Sequence, residues 1–124
     1  MTTHVLIVDD SRLARMAVIK GLTRLRPEFT HCEAANPDEA VALVKARQVD
    51  IAVIDFNMPG RDGLTLAAEL KDMNRDMPIA LVSANTQDEI LERTAQLGAT
   101  FLTKPLNEAA LRTFLDAAVA KMKR

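Results

Sequence analysis

Ile51-Ala52-Val53-Ile54-Asp55 is a run of four apolar residues that ends in a carboxylate. Four residues are too few for a helix, and the β-branched content suits a strand buried on both faces. The pattern recurs on either side: Val5-Leu6-Ile7-Val8 ahead of Asp9-Asp10, Ile79-Ala80-Leu81-Val82 ahead of Ser83, and Phe101-Leu102 ahead of Thr103-Lys104-Pro105. Residues 30–35, Thr-His-Cys-Glu-Ala-Ala, mix polar and apolar side chains and read as a weaker strand near a sheet edge. Stretches of helical period separate these runs, most clearly the last, where Leu111, Phe114, Leu115, Ala118 and Met122 draw one apolar stripe. Asn36-Pro37-Asp38-Glu39 predicts a capped helix start, and Thr86-Gln87-Asp88-Glu89 predicts a second capping box. Pro27 bars extension of the first helix, and Gly98 supplies a left-handed stop after Leu97. Five strands alternating with five helices predict parallel strands and right-handed crossovers. The expected fold class is therefore α/β, a doubly wound (βα)5 sheet with helices on both faces.

Composition bounds the alternatives. With 124 residues, 48 % hydrophobic and 27 % charged, the chain has the make-up of a globular protein and is expected to form one domain over residues 1–124. At that size folding hides about two thirds of the unfolded surface, enough for a core without disulfides or structural metals. The single cysteine, Cys32, has no partner for an internal disulfide, and its neighbour His31 would point to the other face of a strand. Sixteen basic and seventeen acidic residues give a net charge of −1, so no overall field draws the chain to nucleic acid or an anionic membrane. Without Trp or Tyr, and with only four Phe, it lacks stacking platforms for single strands. The N-terminal MTTHVLIVDD has no basic n-region, and no apolar run approaches the ~18 residues of a membrane span. A cytoplasmic protein in a reducing compartment is expected.

In an open parallel sheet, chemistry gathers beyond the carboxyl ends of the strands. Asp9, Asp10, Asp55, Ser83 and Lys104 are all predicted there. Like charges at ~4 Å repel by about 4 kcal/mol at an effective dielectric near 20, so clustered carboxylates call for a cation. Mg²⁺ takes oxygen ligands and commonly combines one or two carboxylates with phosphate oxygens. Lys104 adds a positive charge and Ser83 a hydroxyl that can donate to an oxyanion. Together they describe a site that receives a phosphoryl group on a carboxylate, with Asp55 the natural acceptor. Taken singly, each residue has a plainer reading: Asp10-Ser11 as a helix cap, Asp55 as a strand-end acid, Lys104 as a solvated lysine. The conjunction argues for the site.

Four motifs then carry a resemblance: Asp9-Asp10 after an apolar strand, Asp55-Phe-Asn-Met58-Pro59-Gly60-Arg-Asp62-Gly63, Ser83-Ala84, and Lys104-Pro105. In this order and at these intervals, the sequence resembles a receiver domain of two-component response regulators over essentially its whole length. The resemblance implies a flavodoxin-like receiver fold with strand order 2-1-3-4-5. It implies phosphorylation at Asp55, with Mg²⁺ held by the carboxylates of Asp10 and Asp55, the carbonyl of Asn57, and Asp9 acting mainly through water. Ser83 and Lys104 would bind the phosphoryl oxygens. Lys104-Pro105 would carry a cis peptide bond, and Phe101 falls at the aromatic switch position. Here the chain departs from a common pattern of Tyr at that position and Thr in place of Ser83; serine keeps the hydroxyl, while phenylalanine can rotate but offers no hydroxyl to a partner.

Two-component and phosphorelay signalling thus implies a histidine kinase or histidine phosphotransfer protein as donor. Phosphorylation would pull Ser83 toward the phosphoryl group, turn Phe101 inward and change the surface formed by helix four, strand five and helix five. Asp88, Glu92, Arg93, Arg112 and Asp116 are candidate contacts there for a downstream protein target, and Arg12 and Arg15 for the donor. With the chain ending after its fifth helix, no direct nucleic-acid or membrane partner is expected. The expected role is a signalling switch, not an enzyme beyond its own phosphorylation and dephosphorylation. Three alternatives stand beside it. One is an aspartate-nucleophile phosphatase or phosphotransferase, which the lack of an Asp-x-Asp-x-Thr motif disfavours. The others are a phosphorylation-independent receiver-like module and the receiver half of a longer regulator.

Overall fold

A computed structural model describes residues 2–58 and 60–122; Pro59 of the quoted motif, like Met1 and the last two residues, lies outside them. Along the chain run β1 (His4–Val8), α1 (Arg12–Leu25), β2 (Thr30–Ala34), α2 (Pro37–Ala46), β3 (Ile51–Asp55), α3 (Gly63–Met73), β4 (Ile79–Ser83), α4 (Asp88–Gln96), β5 (Thr100–Thr103) and α5 (Glu108–Met122). The strands form one parallel sheet in the order β2-β1-β3-β4-β5. Both the alternation and the expected order are borne out.

Period-two alternation divides the core between the two faces of the sheet. Leu6, Val8, Ala52, Ile54, Ile79 and Leu81 face α2, α3 and α4, where Ala40, Leu66, Leu70 and Ile90 meet them. Val5, Ile7, Ile51, Val53, Ala80, Val82 and Leu102 face α1 and α5, where they meet Leu22, Leu111, Phe114 and Leu115. Each fully buried Leu or Ile contributes roughly 1.5–3 kcal/mol of transfer free energy, so the central strands are the firmest part of the molecule. Edge strand β2 exposes Thr30, His31 and Glu33, as its mixed composition predicts.

The caps hold with one exception. Asn36 accepts from the Glu39 N–H at 2.9 Å at the head of α2, α1 stops at Leu25 ahead of Pro27, and Gly98 takes a left-handed φ of 77°. The expected Thr86 cap is corrected: α4 is preceded by Gln87, which makes no side-chain cap bond. Asn85 supplies the reason, since its Oδ1 accepts from the Gln87 N–H at 3.1 Å and turns the chain one residue later. Asp62, read only as part of a motif, caps α3 through the Thr65 N–H at 2.8 Å.

Candidate functional site

Four strand ends converge at one edge of the sheet. Backbone bonds extend the ladder past the strands: the N–H groups of Phe56 and Lys104 donate to the carbonyls of Val82 at 2.9 Å and Ser83 at 3.0 Å. Asp55, Ser83 and Lys104 are thereby held at one level. Across this edge one carboxylate oxygen each of Asp9, Asp10 and Asp55 lies within 4.8 Å of the others. Asp55 is 4 % exposed, Asp9 7 % and Ser83 0 %, whereas Asp10 faces solvent.

The electrostatics of the cluster are unbalanced. Lys104 Nζ sits 2.6 Å from Asp55 Oδ1 and 4.0 Å from Asp9 Oδ2, one ammonium against three carboxylates. The Lys104 ammonium is thus engaged chiefly with Asp55 Oδ1, which leaves the carboxylates of Asp9 and Asp10 largely unbalanced. Burial pushes the Asp9 carboxyl up from its ordinary value and the charges of Asp55 and Asp10 push the same way, against the opposing pull of the Ser11 N–H and Lys104. An all-oxygen donor set of three clustered carboxylates, which one ammonium does not balance, fits a hard divalent cation such as Mg²⁺. Asn57, the expected carbonyl ligand, lies exposed two residues beyond Asp55.

Ser83 Oγ accepts from the Asn85 N–H at 3.0 Å, which leaves its own proton free to donate. The Lys104-Pro105 bond is cis, as expected. Phe101 is half-buried and packs against the core face covered by α2, α3 and α4, opposite Leu81 in the ladder.

Two expected contacts are engaged in ion pairs. Arg15 is not a free docking residue: its side chain is 14 % exposed, with Nε 2.9 Å from Glu33 and a terminal nitrogen donating to the Asp9 carbonyl at 2.6 Å. Asp116 pairs with Arg26 at 2.8 Å and stays exposed, as expected, with 58 % of its side chain open to solvent. Asp88, Glu92, Arg93 and Arg112 are exposed, as is Arg12. Three residues that build the site carry roles the sequence reading does not give them: it takes Arg15 for a docking contact and Arg61 and Gly63 only as part of a motif. Arg15 ties the acid-bearing loop to β2. Arg61 ties the loop after β3 to Asp38 at 2.7 Å and Glu69 at 3.1 Å. Gly63 lets α3 begin against the end of β3, for a Cβ there would lie 2.5 Å from the Asp55 carbonyl oxygen. Only Gly63 had a visible signal, a glycine opening a helix where a better helix former would be expected.

The sequence model of the response regulator receiver domain matches residues 5–116. The chain belongs to the response regulator receiver family. As a receiver domain it shares 32 % identity over 121 residues with the transcriptional regulatory protein PdtaR of Mycobacterium tuberculosis, covering 97 % of this chain and 58 % of that protein. It is 31 % identical over 112 residues to the cyclic di-GMP phosphodiesterase response regulator RpfG of Xanthomonas campestris pv. campestris, covering 88 % of this chain and 30 % of that one. The chain thus spans between about a third and somewhat over half of these relatives. Among solved structures, the Vibrio cholerae chemotaxis protein CheY4 superposes with a TM-score of 0.85 at 27 % identity, over 95 % of this chain and 99 % of that one. A receiver domain from Methanospirillum hungatei reaches 0.89 at 20 % identity, over 99 % and 98 % of the two chains, and shares the fold. The family is one of signalling switches; receiver domains generally bind Mg²⁺ in an acidic pocket and accept phosphoryl groups from histidine kinases or phosphotransfer proteins. Among the described residues no helix is long and apolar enough to cross a membrane.

Proposed function

We propose that Asp55 is the phosphoacceptor of this receiver domain and that the chain works as a cytoplasmic phosphorylation switch without a separate enzymatic activity. The observation that carries the reading is the placement of a buried Asp55 carboxylate against Lys104 at 2.6 Å, within a cluster shared with Asp9 and Asp10. Asp9, Asp10, Asp55 and the Asn57 carbonyl are the residues proposed to hold Mg²⁺, which when bound offsets carboxylate charge and steadies the phosphoryl oxygens. An Asp55 carboxylate oxygen attacks the phosphorus of the donor, and the bond from phosphorus to the donor breaks. Lys104 holds the charge that accumulates on the phosphoryl oxygens, and Ser83 donates its free proton to one of them.

The readout follows from the added charge, roughly one unit beyond the original carboxylate. Drawing Ser83 toward the phosphoryl group shifts the β4–α4 loop and opens space for the half-buried Phe101 to turn inward. The face of α4, β5 and α5 then favours a different partner. Lys104 and Pro105 move with it. The donor is a histidine kinase or phosphotransfer protein and the target a protein, without direct contact to nucleic acid or membrane.

Intact-mass spectrometry after incubation with phosphoramidate tests this reading. A single Mg²⁺-dependent phosphoryl adduct is expected in wild type and none in Asp55→Asn. An adduct that persists in the variant would move the acceptor elsewhere.

A second reading has its own support. Because PdtaR and RpfG extend well beyond the matched segment, the chain is also read as the receiver part of a longer regulator, its residues 1–124 forming one domain. The mass of the endogenous protein, detected with an antibody to this chain, separates a lone domain from a larger product.

A further inference from the structure

The outer side of β2 is the end of the sheet. At one end of this strand the Thr30 N–H donates to the Thr3 carbonyl at 2.9 Å, and at the other the Ala34 carbonyl accepts from the Asp9 N–H at 3.1 Å. Thr30, Cys32 and Ala34 therefore turn their backbone groups toward β1, and alternation turns those of His31 and Glu33 outward. No backbone partner meets them among the described residues. Both side chains are exposed, and both lie in register with Val5 and Ile7, on the face that α1 and α5 cover further in. An open edge of this kind is a template for another strand.

We infer that β2 pairs antiparallel with β2 of a second copy of the chain, about a twofold axis through Cys32, joining the two sheets into one. The inference is independent of the phosphoacceptor reading. Self-complementarity selects the occupant, for Thr30-His31-Cys32-Glu33-Ala34 matches its own reverse. His31 falls opposite Glu33 of the second copy, and Glu33 opposite His31 of the second copy. These are the residues whose backbone groups point outward, so each pair exchanges two backbone hydrogen bonds, and the imidazole can donate a ring N–H to the facing carboxylate. Moving the axis to Glu33 would set two carboxylates face to face, which fixes the register against that slip. Thr30 meets the small Ala34. Cys32 meets its own counterpart in a non-hydrogen-bonded pair, with Cα atoms about 4.5 Å apart, within the range a disulfide spans. Arg47, the charged neighbour of Cys32, is exposed and long enough to turn out to solvent.

Sedimentation velocity of the full chain, from micromolar to millimolar concentration, tests the pairing. Wild type is expected to approach twice the chain mass at the upper end. His31→Pro removes an outward N–H and leaves the bonds to β1 in place. One net hydrogen bond is worth a factor of about five in an equilibrium constant, and by symmetry this variant loses two, so its dissociation constant is expected to rise about 25-fold. His31→Glu keeps the backbone intact but opposes two carboxylates and is expected to lose the dimer, whereas His31→Lys retains it. Thermal melting identifies a variant that fails to fold, and the others then carry the comparison. Oxidised glutathione probes the register: two Cys32 thiols give up two electrons and two protons to it, leaving one disulfide between copies and two glutathione thiols. A covalent dimer is expected in wild type, more slowly in His31→Pro and not at all in Cys32→Ser. A wild type that stays monomeric at every concentration leaves the edge to solvent or to a strand of another protein and overturns the inference. A dimer that His31→Pro and His31→Glu both leave intact overturns it too, by placing the contact elsewhere.

Discussion

Arg15 donates from a guanidinium nitrogen to the backbone carbonyl of Asp9 at 2.6 Å, reaching back across the turn that separates β1 from α1. The same side chain is paired with Glu33 at the end of β2, so the loop that presents both acids is anchored from outside the cluster. Replacing Arg15 by Met is expected to lower unfolding free energy by about 1–2 kcal/mol, the worth of a charged hydrogen bond and its pair. Calorimetric titration should show weaker Mg²⁺ binding as well. Arg15→Lys keeps the charge but cannot hold both contacts in one planar fork, and should restore only part of each. Unchanged Mg²⁺ affinity alongside reduced stability would limit Arg15 to scaffolding.

Gly63→Ala places a methyl 2.5 Å from the Asp55 carbonyl oxygen and 2.8 Å from the Phe56 Cα. Both neighbours are backbone and have little room to yield. Urea denaturation should register a loss of about 3 kcal/mol, at the upper end of overpacking costs, and phosphorylation should slow because the acceptor strand shifts. A variant as stable as wild type would mean that α3 can slide along the sheet.

Ligand linkage gives a third expectation. If the acid cluster holds Mg²⁺, the ion at ten times its dissociation constant raises stability by about 1.4 kcal/mol. The gain should disappear on chelation and be strongly reduced in Asp55→Asn, which replaces one carboxylate oxygen of the cluster by an amide nitrogen and removes its charge. Melting curves with and without the ion measure it. Equal gains in wild type and variant would place the ion away from Asp55.

Lys71 carries the fourth. It is 9 % exposed, and among the described residues its amine finds only the Arg75 carbonyl at 3.4 Å. Burial lowers its pKa from the usual 10.5, the charge of Lys121 adds to the shift, and Asp76 opposes it. Between the folded-state and unfolded-state values the unfolded chain binds more protons, so stability rises with pH across that window. At neutral pH the buried charge costs its full amount. Lys71→Met is therefore expected to be more stable than wild type by about 1 kcal/mol at pH 7. The difference should shrink as pH climbs toward 10.5. A constant difference across that range would assign the gain to packing alone.

The strands and the sheet-edge acids were readable because each carries a local mark. Val5–Val8 and Ile51–Ile54 are short apolar runs closed by carboxylates, and Asn36-Pro37 announces its own helix. The α4 start was misread because Thr86 and Asn85 compete to turn the same stretch, and only the structure shows that Asn85 wins. Arg15 was misplaced for a different reason. Its partner Glu33 is distant in sequence and reaches it through the β1–β2 pairing, a contact that no local pattern encodes. Asp116 likewise follows the packing of α5 on α1. Motifs located the clustered acids, the serine and the lysine, and long-range ion pairs tied up charged groups that no local pattern marks.

Ser83 and Lys104 are neighbours across the sheet and far apart along the chain: Ser83 pairs with Thr103, and the next residue's N–H closes on the Ser83 carbonyl. Everything from Ala84 to Ala99 is thus an excursion that departs from and returns to one hydrogen-bonded junction. Provided Ile90 and Thr94 still plug the core, that excursion can be lengthened, recharged or exchanged without moving the two groups that would grip a phosphoryl. The exposed face of α4 is free to diverge on its own schedule, while the acid-and-lysine corner stays put. A library confined to the exposed positions of α4 would therefore vary one surface over an unaltered Asp55–Ser83–Lys104 corner.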